Sequence, residues 1–191
     1  TMALVLMLVS AMMTSISITR EKETGTMEAL LVSPLRPVQI IAGKVTPYIL
    51  LSFINAAVII LMGYFIFRLP IRGSLLLLFG ETVLFITLAL SLGIMISTAS
   101  KTQVVAMFLA AFALLLPTLL LSGFIFPIEN MPKVLQWLCH LMPPKYYITI
   151  VKNIMIKGTG FSEVWKETLI LAGMLVFFLS MSAVRFGKRL Q

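Results

Sequence analysis

Three of the chain's seven acidic residues, Glu21, Glu23 and Glu28, stand in one short stretch with Arg20 and Lys22 among them. Other chemistry-bearing side chains are scarce. There is no Asp, and His140 and Cys139 are each the sole residue of their type. A zinc site draws its ligands from several Cys, His and carboxylate side chains, so a metal site of that kind is excluded. A hydrolytic centre needs a nucleophile with a base beside it, and an intramembrane enzyme is disfavoured for want of one. Clustered Glu, Arg and Lys on a watery stretch can instead pair reversibly with a second charged surface. Exposed pairs contribute only about 0–1 kcal/mol each, so the fit of the whole segment outweighs any one of them.

The local grammar of residues 20–44 shapes that surface. Gly25 breaks the helix before it. Thr26 can cap a new helix, placing Glu28 in a first turn where the helix dipole favours an anion. Pro34 ends that helix, and Pro37 suits the first position of the next. The product is a short helix over 27–33. Met27, Leu30 and Leu31 share one face at i, i+3, i+4 spacing, so it should lie along a membrane surface. Arg20 is placed to hold the preceding helix end near lipid headgroups or to pair with a glutamate.

Four further features carry weaker chemistry. Glu81 lies in an otherwise apolar run and is an intramembrane charge, a functional candidate by default. Its bland alternative is to snorkel outward or pair with Arg68 or Arg72. Asn55 lies near the middle of another apolar run and suits a helix–helix hydrogen bond or a weak substrate contact. Phe108 and Phe112 form a bulky face that could line an apolar path or meet lipid. Pro117, nearby, removes the hydrogen bond to the carbonyl of Ala113 and is expected to kink its helix. Gly43-Lys44 resembles the end of a phosphate-binding loop, but Val45 replaces the Ser/Thr and Val38 stands where the first glycine belongs. ATP binding by that route is excluded.

These residues must be held by membrane helices. The chain has 191 residues, 60% hydrophobic and 12% charged, with mean hydropathy +1.06. Soluble domains carry about 25% charged residues, so this is an integral membrane protein. The net charge of +8 sits at the flanks of apolar runs, where it meets headgroups, and does not indicate nucleic acid. Uncharged or nearly uncharged runs predict an all-α fold with about five spans, near 1–19, 45–67, 74–100, 102–122 and 168–185. Ser52, Ala56 and Gly63 make a small-residue stripe in the second span, and Gly93 and Ser97 a small-xxx-small pair in the third. In the fourth, Ala106, Ala110, Ala113 and Pro117 should share a close-packing face. Residues 123–157 differ. Gly123, Pro127, Pro132, Pro143 and Pro144 divide them into pieces too short to span, with Trp137, Tyr146 and Tyr147 suited to headgroup level. The chain opens on Thr1 within an apolar run, so it is expected to be a piece of a longer protein. Five spans place 20–44, Lys101 and the C-terminus on one side. Basic residues divide almost evenly between the two sides, and the short loops favour 20–44 as the cytoplasmic one.

Arg20-Glu21-Lys22-Glu23-Thr24-Gly25-Thr26-Met27-Glu28-Ala29-Leu30-Leu31, followed by Ser33-Pro34, resembles the first cytoplasmic loop of type-2 ABC transporter permeases. Leu121-Ser122-Gly123-Phe124, Phe126-Pro127, Met131-Pro132 and Pro143-Pro144-Lys145-Tyr146 are similar to that family as well, in its order and near its spacing. The resemblance, to the bacterial drug-efflux-like branch, implies a fragment that starts at the second transmembrane helix. It also implies a coupling helix within 20–44 that sits on an ABC ATPase, with Arg20, Glu21, Glu23, Gly25, Thr26 and Glu28 at that contact. Short re-entrant helices at the outer mouth follow, with Gly123, Pro127, Pro132, Pro143 and Pro144 as gate residues. A second permease chain and two ATPase subunits complete the transporter. ATP and Mg would be held by the ATPase, with no cofactor on this chain. The expected home is the bacterial inner membrane. The competing expectation is a stand-alone channel or secondary transporter. Those folds tend to show broken helices in paired repeats, which this chain lacks.

Overall fold

The computed structural model describes residues 2–25, 37–66, 68, 72–122 and 132–188; the side chains of 37, 38, 40–42 and 183–188 are not described. The described residues form seven helices: α1 (Met2–Glu23), α2 (Pro37–Phe65), α3 (Leu75–Ala99), α4 (Gln103–Leu121), α5 (Lys133–Cys139), α6 (Pro143–Lys152) and α7 (Phe161–Lys188). There are no strands among these residues. Of the helices, α1, α2, α3, α4 and α7 are long and apolar enough to cross a membrane.

Local chemistry sets the helix ends. Gly25 adopts φ +74°, the left-handed conformation that glycine takes at no steric cost, and closes α1 just past its last turn. A side chain there would meet nothing within 4 Å, so conformation rather than space calls for glycine. Pro37 opens α2 as its type predicts. Ser74 and Thr102 cap α3 and α4 by accepting from the N–H groups of Leu77 and Val105. α7 begins at Phe161, earlier than the apolar run from 168, and carries Glu163, Lys166 and Glu167 in its first turns.

The helix buried most nearly all round is α3. Its run Leu88 to Ile94 is buried without interruption. α1 packs against it, and its small residues Ala3, Ser10, Ala11, Thr14, Ser15 and Thr19 are all buried. Between membrane helices, lipid removes most of the hydrophobic drive, so close van der Waals packing of small residues does the holding. Gly93 is the closest point. A Cβ there would stand 2.5 Å from the carbonyl oxygen of Ala11 and 3.0 Å from Cβ of Thr14. Ser52 and Ala56 pack inward from α2, and Ser10 Oγ donates to Ser52 Oγ at 2.8 Å, while Gly63 is half-buried.

The fourth span departs from expectation. A π-helical turn, Ala111–Leu115, interrupts it just before Pro117. Proline brings no N–H to the ladder, and a π turn is a common local answer to such a gap. The wider turn adds a residue and rotates the buried face. Ala106 and Ala110 are fully buried as expected, but past the π turn Leu114 and Thr118 take the inner positions. Ala113 is exposed and Pro117 half-buried, so the predicted face over Ala106, Ala110, Ala113 and Pro117 does not hold beyond Ala110.

Candidate functional site

At one end of the bundle, the last turn of α1 meets three other helices. Glu21 forms an ion pair with Lys44 of α2. Lys22 Nζ donates to the carbonyl oxygen of Ser97 in the last turn of α3. Glu23 Oε2 accepts from the backbone N–H of Gln103 at 3.0 Å and from its side-chain Nε2 at 3.1 Å. Gln103 is the first residue of α4, whose leading N–H groups have no partner within the helix. A cation therefore meets the negative end of α3, and an anion meets the positive end of α4. Arg20 is exposed on the same turn. Thr26, Glu28 and the short helix expected over 27–33 lie outside the described residues.

At the opposite end, the connection entering α3 and the segment between α4 and α7 pack together. Gly73 approaches the turn after α6 so closely that a Cβ would sit 2.5 Å from the carbonyl oxygen of Ile154. Arg72 N–H donates to the carbonyl of Met155 at 3.2 Å. Tyr147 of α6 is fully buried against α3, its ring stacked on Phe85 with centroids 4.2 Å apart. Its hydroxyl pairs with Thr82 Oγ1 at 2.9 Å. Thr82 aims its one proton at the Leu78 carbonyl, so the phenol is the donor. Tyr146 donates to the carbonyl of His140 at 2.8 Å, tying α6 to the turn that follows α5.

Glu81 sits beside this contact and is only 4% exposed. Its Oε1 accepts from Thr168 Oγ1 of α7 at 2.7 Å, while Oε2 has no hydrogen-bond partner among the described residues. The expected alternatives, snorkelling outward or pairing with Arg68 or Arg72, are not what the geometry shows. The carboxyl points inward, and both arginines are exposed.

The remaining candidates are dispersed. Asn55 is exposed on α2, with Ile54 and Val58 exposed beside it. Phe108 and Phe112 stack on each other at 6.2 Å and face outward from α4. Pro143 and Pro144 are buried in the first turn of α6, and Pro132 is exposed at the N-cap of α5. Gly123 and Pro127 lie outside the described residues. The structure brings Glu21 and Glu23 to one junction and does not join Asn55 to the phenylalanine pair. Sequence reasoning missed Gln103 and Thr82, named Lys22 only as part of the charged stretch, and expected at headgroup level a Tyr147 that is fully buried. Nothing local marks these contacts, because each partner lies 65 or more positions away. It also missed an apolar cavity of about 210 Å³ lined by Met7, Met95, Leu114, Thr118, Pro143 and Phe178 among others. Among the described residues, no three His, Cys, Asp or Glu gather to hold a metal.

With five helices long and apolar enough to cross a membrane, this is a multi-pass membrane protein. The profile of the ABC-2 type transporter family matches residues 1–156. The chain belongs to that family and is related to its membrane permeases. It is 32% identical to the probable multidrug ABC transporter permease YbhS of Escherichia coli over 98% of this chain and 50% of that protein. It is 36% identical to the probable multidrug ABC transporter permease YbhR over 81% of this chain and 42% of that protein. The inner membrane transport permease YhhJ of the same organism is 29% identical over 95% of this chain and 48% of that protein. The chain thus spans about half the length of these relatives.

Proposed function

We propose that this chain is part of the membrane-spanning subunit of an ATP-driven ABC exporter in the bacterial inner membrane. Its cargo is a hydrophobic or amphipathic molecule, such as a drug or lipid, carried outward. One observation carries this reading: the charge-bearing stretch begins where α1, α2, α3 and α4 are tied together by Glu21, Lys22 and Glu23. A force applied to that stretch reaches four helices at once.

In this reading residues 20–44 and the C-terminus face the cytoplasm. Arg20, Glu21, Glu23, Gly25, Thr26 and Glu28 set and bear the contact with the ABC ATPase, which holds ATP and Mg. ATP closure of two ATPase subunits pushes the coupling segments. A second permease chain, identical or not, meets this one, and the cavity between them changes from inward-open to outward-open. Binding must favour one of the two states for ATP to drive the change. The exposed apolar faces of α2 and α4, including Asn55, Phe108 and Phe112, suit a partner chain or a substrate path. Residues 123–157 act as the outer gate in this reading. Ser122, just before that segment, and Ile154, near its end and packed on Gly73, lie at the end of the bundle opposite Glu23, which supports it. The names of the YbhS and YbhR relatives also favour drug-like cargo.

The test is Glu28→Lys. It reverses a charge at the proposed ATPase contact and leaves every apolar span untouched. Membrane insertion should match the parent, while ATPase co-purification or nucleotide-driven transport is lost. Normal transport by this variant would remove Glu28 from the contact.

A further inference from the structure

We propose that Glu21, Lys22 and Glu23 form a transmission junction in which Glu23 is the positioning residue for α4. The inference rests on the exporter reading and adds a route by which the coupling segment moves the helix that carries Phe108 and Phe112. Three consecutive residues on one helical turn point about 100° apart, so they can reach three different neighbours. That is what they do: Glu21 holds α2, Lys22 holds the end of α3, and Glu23 holds the start of α4.

The Glu23 contact is exposed but specific in its geometry. One carboxylate oxygen takes both donors of Gln103, backbone and side chain. The N–H of Val105, two residues on, is taken by Thr102 Oγ1. The helix start is thus capped both by its own N-cap residue and by α1. A charged acceptor at a helix N-terminus makes shorter and stronger bonds than a neutral one. Lys22 and Glu23 also straddle the tight turn Ser100–Thr102, gripping the chain on either side of it. Without Glu23, α4 would keep its Thr102 cap and its packing, but its start would have no polar tie to the coupling segment through Gln103.

This arrangement allows a clean separation of fold from force. Thr102 already has φ −126° and ψ 155°, the extended conformation that a residue before proline requires. Proline is also favoured at the first position of a helix. Gln103→Pro therefore removes both donors to Glu23 while leaving α4 able to start where it does. Glu23→Ala removes the acceptor from the other side. Glu23→Gln keeps an acceptor oxygen of the same reach.

The experiment uses the transporter assembled from its full-length permease chains and ATPase subunits, in lipid vesicles. Spin labels are placed at Leu109 on α4 and Leu76 at the far end of α3, both exposed, in a background with Cys139 replaced by Ala. The distance between them is measured with ATP alone and with ATP plus vanadate. In the parent, trapping shifts the distance. In Glu23→Ala and in Gln103→Pro that shift is lost while ATP hydrolysis continues, and Glu23→Gln retains it. Should Glu23→Ala fail to assemble, Gln103→Pro decides alone. Parent-like shifts in the Gln103→Pro variant would overturn the junction and leave the exporter reading intact. A parent with no nucleotide-dependent shift would overturn both.

Discussion

Replacing Gly93 by leucine is expected to abolish a stable fold, the largest effect of any single change in this chain. The site has no room for even a methyl group, since a Cβ would lie 2.5 Å from the Ala11 carbonyl oxygen and 3.0 Å from the Ala11 Cα. Overpacking costs about 1–3 kcal/mol when side chains alone must move. Here the obstacle is the backbone of α1, so the two helices must separate. Leu6, Met7 and Ala11 on α1 and Leu92 and Ile96 on α3 are all buried. Whole domains are stable by only about 5–15 kcal/mol, so a loss of this contact is not tolerated. Gly80→Leu is the matched control, because nothing lies within 4 Å of a side chain there. Monodispersity in detergent and the thermal aggregation midpoint should collapse for Gly93→Leu and stay near the parent for Gly80→Leu. Equal behaviour of the two would mean that α1 and α3 are not in this close contact.

The second large effect is expected at Tyr147. Removing a buried aromatic side chain costs about 3–5 kcal/mol. Tyr147→Ala deletes the ring that stacks on Phe85 and opens a void where α6 joins α3. Tyr147→Phe keeps the ring and loses only the hydroxyl's contacts with Thr82 Oγ1 and, more weakly, Met2 Sδ. Hydrogen bonds between membrane helices average about 0.6 kcal/mol, so this change should be mild. Thermal midpoints, and protease sensitivity across 132–160, should rank parent and Phe together and Ala far below. A Phe variant as damaged as the Ala variant would show that the phenol, not the ring, holds α6 in place.

The particular residues show where sequence reasoning succeeds. Gly25, Pro37, Pro132 and Pro143 punctuate the chain by backbone rules that need no partner, and each stands at a helix end as its type requires. Long uncharged runs revealed the five spans for the same reason. Properties that depend on distant partners stayed hidden. Glu23 and Gln103 are 80 positions apart, and nothing in either neighbourhood announces the other. Glu81 was recognisable as an unusual charge, but its partner Thr168 lies on the last span. Pro117 drew attention to the right place in α4. The π turn beside it then moved the buried face from Ala113 to Leu114, a register change that periodicity counted at 3.6 residues per turn cannot foresee. At the junction, Glu21 and Glu23 also hold helices of their own chain, contacts that no local signal announced.

Everything proposed about force transfer requires residues 20–28 to face the ATPase. The most direct test is a single cysteine at Glu28, in a background with Cys139 replaced by Ala, treated with a membrane-impermeant maleimide. Intact cells should leave Glu28→Cys unlabelled, permeabilised cells should label it, and bound ATPase should protect it. Labelling in intact cells would put this stretch on the outer face, beyond the reach of any cytoplasmic ATPase, and would contradict the account.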